Sequence, residues 1–155
     1  MGKVNELLEH WMRHRKVIHD LLDLIGNEHI HCKPWNDAFS LGNLAIHIAV
    51  SSDRFVQGIK NGEFTFTSSS NEFETIEGLR NILSEYTEKT NSTFQTLSDA
   101  DLDQQLDFNR FIAPGKVWLS SMIDHEIHHK GQLFTYARLI GIEKLPFFII
   151  QPPKL

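Results

Sequence analysis

The stretch "VWLSSMIDHEIHHKGQLFTYARLI", residues 117–140, carries both the architecture and the chemistry of this chain. Trp118, Met122, His125, His129, Leu133, Tyr136 and Ile140 recur at steps of three and four, the repeat of one helical face, and Gly141 follows as a helix stop. Two of the seven positions on that face are histidines. At about 100° per residue, His129 points about 40° from His125, Glu126 about 100° from it and His128 about −60°. His125 and His129 therefore face one way, about 6 Å apart along the axis, and both imidazoles can converge on one cation. Two neutral imidazoles facing a core without partners would cost a few kcal/mol each, and a metal ion removes that cost.

The same periodicity recurs three more times. Leu7, Trp11, His14, Ile18, Leu21 and Ile25 predict a helix over 4–25 closed by Gly26, and "GNEHIHCKPWNDAFS", residues 26–40, reads as a loop ending in Ser40 as N-cap. Leu44, His47, Ile48, Ser51, Phe55 and Ile59 predict a second helix over 41–60, interrupted by "NGEFTFTSSSN". Ile76, Leu79, Leu83, Tyr86, Thr90, Thr93 and Leu97 predict a third over 73–97. Between 98 and 116 the pattern weakens to one short turn and a loop or brief extended piece ending at Pro114 and Gly115. Residues 145–150 are apolar and read as packing on the bundle or at a subunit contact. Four long helices and no convincing strand set predict an all-α, up-down four-helix bundle in one domain over 1–155.

Composition narrows the function classes. The 155 residues are 41% apolar and 23% charged, the signature of a folded globular chain. A net charge of −5 without a basic stripe argues against nucleic-acid binding. Nothing approaches the apolar length of a membrane span, and the amino end lacks a secretory pattern, so the expectation is cytoplasmic. The single cysteine, Cys32, forms no intramolecular disulfide.

His47, inward on the second helix, completes the pair from the fourth, since bundle sites combine single residues on one helix with an i, i+4 pair on another. Three histidines with one open position are the ligand set of a catalytic zinc-type centre, and imidazole suits zinc, nickel, copper and iron alike. His14 reads as a hydrogen-bonded core residue, His128 as a surface residue, and His10, His19, His29 and His31 as solvated. Gln132 is placed to hold a ligand's second nitrogen or a bound water, and Glu126 and Tyr136 are candidates for proton transfer. The letters from His125 to His129 also satisfy the zinc-protease pattern H-E-x-x-H, but the extended form requires Gly and His where Gln132 and Thr135 stand.

An inward histidine after "SLGNLAIH" (40–47), then "HEIHHKGQ" (125–132) and "LIGIEKLP" (139–146), resembles the DinB superfamily of metal-binding four-helix bundles. The resemblance covers nearly the whole chain, and its most specific part is the H-x-x-x-H-[RK]-G-Q run paired with the distant His47. It implies that His47, His125 and His129 are the family's three ligands, with Ni2+, Zn2+ or another divalent metal ion bound. It also implies a metal-dependent thiol S-transferase joining a low-molecular-weight thiol such as bacillithiol to an electrophilic small-molecule substrate, with homodimers common. A metal-dependent hydrolase using Glu126 or Asp124 as base, and a non-catalytic metal or small-molecule binding protein, are the alternatives that ligand chemistry leaves open. Phe147, Phe148, Ile149 and Ile150 offer apolar surface for a homodimer.

Overall fold

The computed structural model describes residues 2–66 and 70–155. The loop reading for Thr67, Ser68 and Ser69 lies outside the described residues. Four long helices, α1 (Lys3–Leu22), α2 (Leu41–Asn61), α3 (Ile76–Gln95) and α5 (Gly115–Leu139), form an all-α bundle. A short α4 (Asp99–Asp103) and a two-stranded hairpin, β1 (Gln105–Phe108) and β2 (Phe111–Pro114), fill the last connection.

Local chemistry sets most helix ends. The Ser40 hydroxyl accepts the Asn43 amide at the start of α2, and Gly62 closes that helix at φ 82°, the left-handed region glycine adopts without strain. Thr75 caps α3 through the Gly78 amide, so this helix starts later than the periodicity alone suggests. Helix α1 stops at Leu22 rather than Ile25. The amides of Leu24 and Ile25 bond three residues back to Leu21 and Leu22, a tightened last turn, and Gly26 instead precedes a 3-10 turn (Asn27–His29).

Two apolar clusters sit at opposite ends of the bundle. One joins Val17, Ile18 and Leu21 to Leu44, Ile48, Leu79, Leu83, Leu133 and Ala137; the other joins Val4 and Trp11 to Val56, Ile59, Phe94, Leu119, Met122 and Ile123. Reading residue numbers through the clusters gives the helix directions. α1 and α5 run one way, and α2 and α3 run the other. The expected alternation holds for α1 with α2 and for α3 with α5, whereas α2 and α3 are parallel. Residues 62–75 permit this, because their extended reach of about 46 Å exceeds the ~32 Å length of α2.

Between the clusters lies a polar layer. Glu126 is fully buried and accepts hydrogen bonds at Oε1 from Trp11 Nε1 (2.8 Å), Arg15 Nη2 (2.7 Å) and Ser52 Oγ (2.8 Å), and at Oε2 from Arg15 Nε (2.9 Å). Lys130, also buried, reaches His14 Nδ1 at 2.7 Å and donates to the Phe148 carbonyl. The buried residues of α5 are thus Gly115, Leu119, Met122, Ile123, Glu126, Lys130, Leu133, Phe134, Tyr136 and Ala137, and His125 and His129 flank them, half-buried.

Two regions differ from the sequence reading. Residues 105–114 form a hairpin with register Phe108 to Phe111, turning through Asn109 (φ 52°) and Arg110 (φ 71°). Two consecutive positive φ values define the type I′ turn, and Arg110 occupies the place where glycine would have announced it. The carboxyl segment docks back on α1: the Ile150 amide donates to the Arg13 carbonyl, and Arg13 Nε donates to the Ile150 carbonyl. Ile149 and Ile150 are half-buried there, leaving Phe147 and Phe148 exposed.

Candidate metal centre

α2 and α5 bring together the three histidines singled out from spacing. His47 Nε2 and His125 Nε2 are 3.1 Å apart, and one ligand atom from each of His47, His125 and His129 falls within 4.8 Å of the others. Nitrogens bound at 2.0–2.1 Å around a tetrahedral ion stand ~3.3 Å apart, so small side-chain rotations close the set on one cation. The three residues could hold a metal ion, and none of the three is a carboxylate.

Protonation favours ligation. Burial holds His125 down to about 4, with repulsion from His129 and His47 adding to it. Burial also lowers His47, helped by His129 and Arg54. Both rings are therefore neutral near pH 7, with lone pairs to offer. Gln132 Oε1 lies 2.6 Å from His129 Nδ1, and an amide oxygen only accepts, so Nδ1 carries the proton and Nε2 keeps its lone pair. His125 Nδ1 is buried with no hydrogen-bond partner among the described residues, so no neighbour there fixes which ring nitrogen carries the proton.

The cluster opens into a cleft of about 420 Å³, whose lining includes His129, Gln132, Trp35, Phe39, Asp37 and Tyr136. Phe39 stacks on His47, with ring centroids 5.0 Å apart. Tyr136 donates its hydroxyl proton to the Phe39 carbonyl at 3.0 Å, and burial raises its pKa above the usual phenol value. That bond ties α5 to the 35–39 segment at the wall of the cleft. Glu126 leaves the proton-transfer candidates because Trp11, Arg15 and Ser52 occupy both its oxygens on the bundle axis. A zinc-protease reading of H-E-x-x-H fails on the same fact, since its general base is locked away.

The remaining histidines divide. His14 is buried and bonded to Lys130, and His128 is exposed, both as expected. His19 is half-buried rather than solvated, its Nε2 2.9 Å from Thr87 Oγ1. Spacing does not single out Arg15 and Lys130, because a charged side chain reads as solvated until its buried partner is known.

A tri-histidine cluster flanked by a cleft, held between antiparallel α2 and α5 of a four-helix bundle, defines a class of helical bundles that could hold a metal, and comparison supplies the family. Residues 1–151 match the DinB family model, and the chain belongs to that family. It is 35% identical over 153 residues to the uncharacterized protein YjoA of Bacillus subtilis (strain 168), covering 96% of this chain and 97% of that protein. The crystal structure of the DinB-like YjoA from Bacillus subtilis superposes with a TM-score of 0.84 at 32% identity, covering 94% of this chain and 99% of the other. A DinB-like protein from Bacillus cereus ATCC 10987 shares the fold at TM-score 0.73 and 18% identity, over 96% of this chain and 95% of its own. None of the helices searched among the described residues is long and apolar enough to cross a membrane.

Proposed function

We propose that this chain is a divalent-metal-dependent enzyme that joins a low-molecular-weight thiol to an electrophilic small molecule. The observation that carries the reading is the convergence of three imidazoles from two helices at the mouth of a largely apolar cleft. His47, His125 and His129 would hold Ni2+ or Zn2+, and Gln132 would orient His129. When bound, the ion supplies positive charge that lowers the pKa of a thiol near neutral pH. The cleft walls exclude water and present the electrophile to the sulfur. In the transfer the thiol proton leaves to solvent, the S–C bond forms as the bond from carbon to the leaving group breaks, and the leaving group departs with the electron pair. A hydrolase reading is weaker because Glu126, one of its two candidate bases, is fully engaged elsewhere, and Asp124, the other, is exposed.

The test is metal content by mass spectrometry on untagged protein and on His47→Ala, His125→Ala and His129→Ala. About one equivalent per chain is expected for the native protein, as for a mononuclear site, and strong depletion in all three variants. Thiol consumption with a chromogenic electrophile should follow the metal. Native protein that cannot be loaded with nickel or zinc would sink the reading.

We also place a second copy of the chain against Phe147 and Phe148, which stand 59% and 57% exposed beside the docked Ile150. Light scattering should return twice the 17.9 kDa chain mass, falling to the single mass in Phe147→Ser/Phe148→Ser. A native monomer at micromolar concentration rules this out. A reducing cytoplasm, rich in small thiols, suits both this activity and the free Cys32.

A further inference from the structure

The cleft beside His129 has two walls. One is a strip of α5 in which His129, Gln132, Tyr136 and Leu139 follow at steps of three, four and three. It runs about 15 Å along the helix axis, starting from the metal-site histidine. The other wall is the 34–39 segment ahead of α2, which contributes Trp35, Asp37 and Phe39. Three hydrogen bonds tie that segment down: the Ala38 amide to the Trp35 carbonyl (3.1 Å), the Leu41 amide to the Cys32 carbonyl (2.9 Å), and the Tyr136 hydroxyl to the Phe39 carbonyl (3.0 Å). The cleft is formed before a ligand arrives, which lowers the cost of binding.

Two features of the lining point to what it takes. Trp35 and Leu139, one on each wall, stand 62% and 66% exposed. Large apolar side chains left in water inside a concave site are surface for a ligand to cover. Asp37 is the single acid of the lining, and no lysine or arginine accompanies it. It forms no ion pair or hydrogen bond among the described residues, so its charge acts directly on whatever enters.

We propose that the cleft receives the electrophile as a flat aromatic molecule without negative charge, its ring against Trp35, with Asp37 setting the selection by charge. This rests on the thiol-transfer reading above and narrows its substrate. One or two fused rings fit a cleft of about 420 Å³, and ring contact with the indole adds to the gain from burial. A cationic substituent is drawn to Asp37 and an anionic one is repelled, by about tenfold in affinity for a partly solvated charge pair.

The experiment is equilibrium dialysis of zinc-loaded protein against three probes that share one ring system: naphthylmethyl-trimethylammonium, naphthylmethanol and naphthylmethanesulfonate. The ammonium and the sulfonate are poor zinc ligands, so the readout is the cleft. The ion itself favours the sulfonate, and Asp37 should more than offset it, leaving the sulfonate the weakest of the three. Asp37→Asn should lower the ratio of ammonium to sulfonate affinity about tenfold and leave naphthylmethanol unchanged. Trp35→Leu should weaken all three about tenfold, with Trp35→Phe recovering part of the loss. A ratio unmoved by Asp37→Asn, a native preference for the sulfonate, affinities unmoved by Trp35→Leu, or no binding of any probe overturns the proposal. Failure of the thiol-transfer reading shows separately. Protein that selects the probes as expected yet consumes no thiol loses its proposed reaction and keeps the aromatic site, and protein that takes up no zinc is dialysed unloaded against the same probes, with the same outcomes.

Discussion

Glu126→Ala should remove about 3–5 kcal/mol from the folding free energy, because it leaves the Arg15 guanidinium buried beside no counter-charge. Both partners are fully buried, and their bidentate contact at 2.7 and 2.9 Å is reinforced by Trp11 and Ser52. A domain of this size is stable by about 5–15 kcal/mol, so the variant approaches the edge of folding. Arg15 retains bonds to Thr87 Oγ1 (3.0 Å) and Ser52 Oγ (3.1 Å), but neither hydroxyl replaces a charge. The cost belongs to the stranded partner rather than to the pair. Arg15→Met combined with Glu126→Leu should therefore be more stable than Glu126→Ala, since apolar replacement of a whole buried pair is often neutral or favourable. Urea unfolding followed by far-ultraviolet circular dichroism measures both. A loss under about 1 kcal/mol for Glu126→Ala would show that Arg15 finds sufficient acceptors without it.

That network also marks where the sequence is readable and where it is not. Apolar spacing located the four long helices, the Ser40 cap and the Gly62 stop, because each is a local decision that a few neighbouring side chains make. It located His47, His125 and His129 because an i, i+4 histidine pair is rare on a helix face. Spacing puts that pair on the inward stripe, whereas the buried stripe runs through Glu126 and Lys130 with the histidines at its edge. The signal is in the angles: Leu119, Met122 and Ile123 before, and Leu133, Phe134 and Ala137 after, share a mean direction that positions 126 and 130 match more closely than 125 and 129. A charged pair looks solvated until its partner is known, and Arg15 lies 111 residues away. The parallel run of α2 and α3 was hidden for a similar reason, since direction is set by which ends share a core. The hairpin at 105–114 lacks the glycine that usually announces its turn. Here the Asp107 carboxylate accepts the Arg110 amide at 2.8 Å and supports the backbone instead.

Metal-free protein should lose stability as the pH falls from about 6.5 to about 4, with His14 responsible for much of the loss. His14 is 4% exposed, and burial, then Lys130, His10 and Arg13, press its pKa down from 6.5 to about 4, against a weaker opposing pull from Glu126. Lys130, as an ammonium, donates to Nδ1 at 2.7 Å, which leaves the ring's proton on Nε2, buried without a partner among the described residues. A second proton can enter only at Nδ1, breaking that bond and setting two cations side by side. The unfolded chain binds this proton near pH 6.5 and the native protein resists until about 4, so the stabilisation is complete above the first value and lost as the pH falls toward the second. Between pH 7.5 and 5.0 the expected loss is about 2 kcal/mol from this residue, and His125, depressed in the same direction, adds to it. His14→Gln keeps an acceptor for Lys130 but cannot titrate, so its urea midpoint should fall less across the same pH range. Equal slopes for the variant and the native protein would assign the acid sensitivity to the other histidines held low, His125 and His47 at the metal site and His19 beside Thr87. In that case loading the metal should remove the share of the slope that belongs to His125 and His47 down to the pH at which the ion is released, whereas a slope set by His14 and Lys130, or by His19, persists with the metal bound.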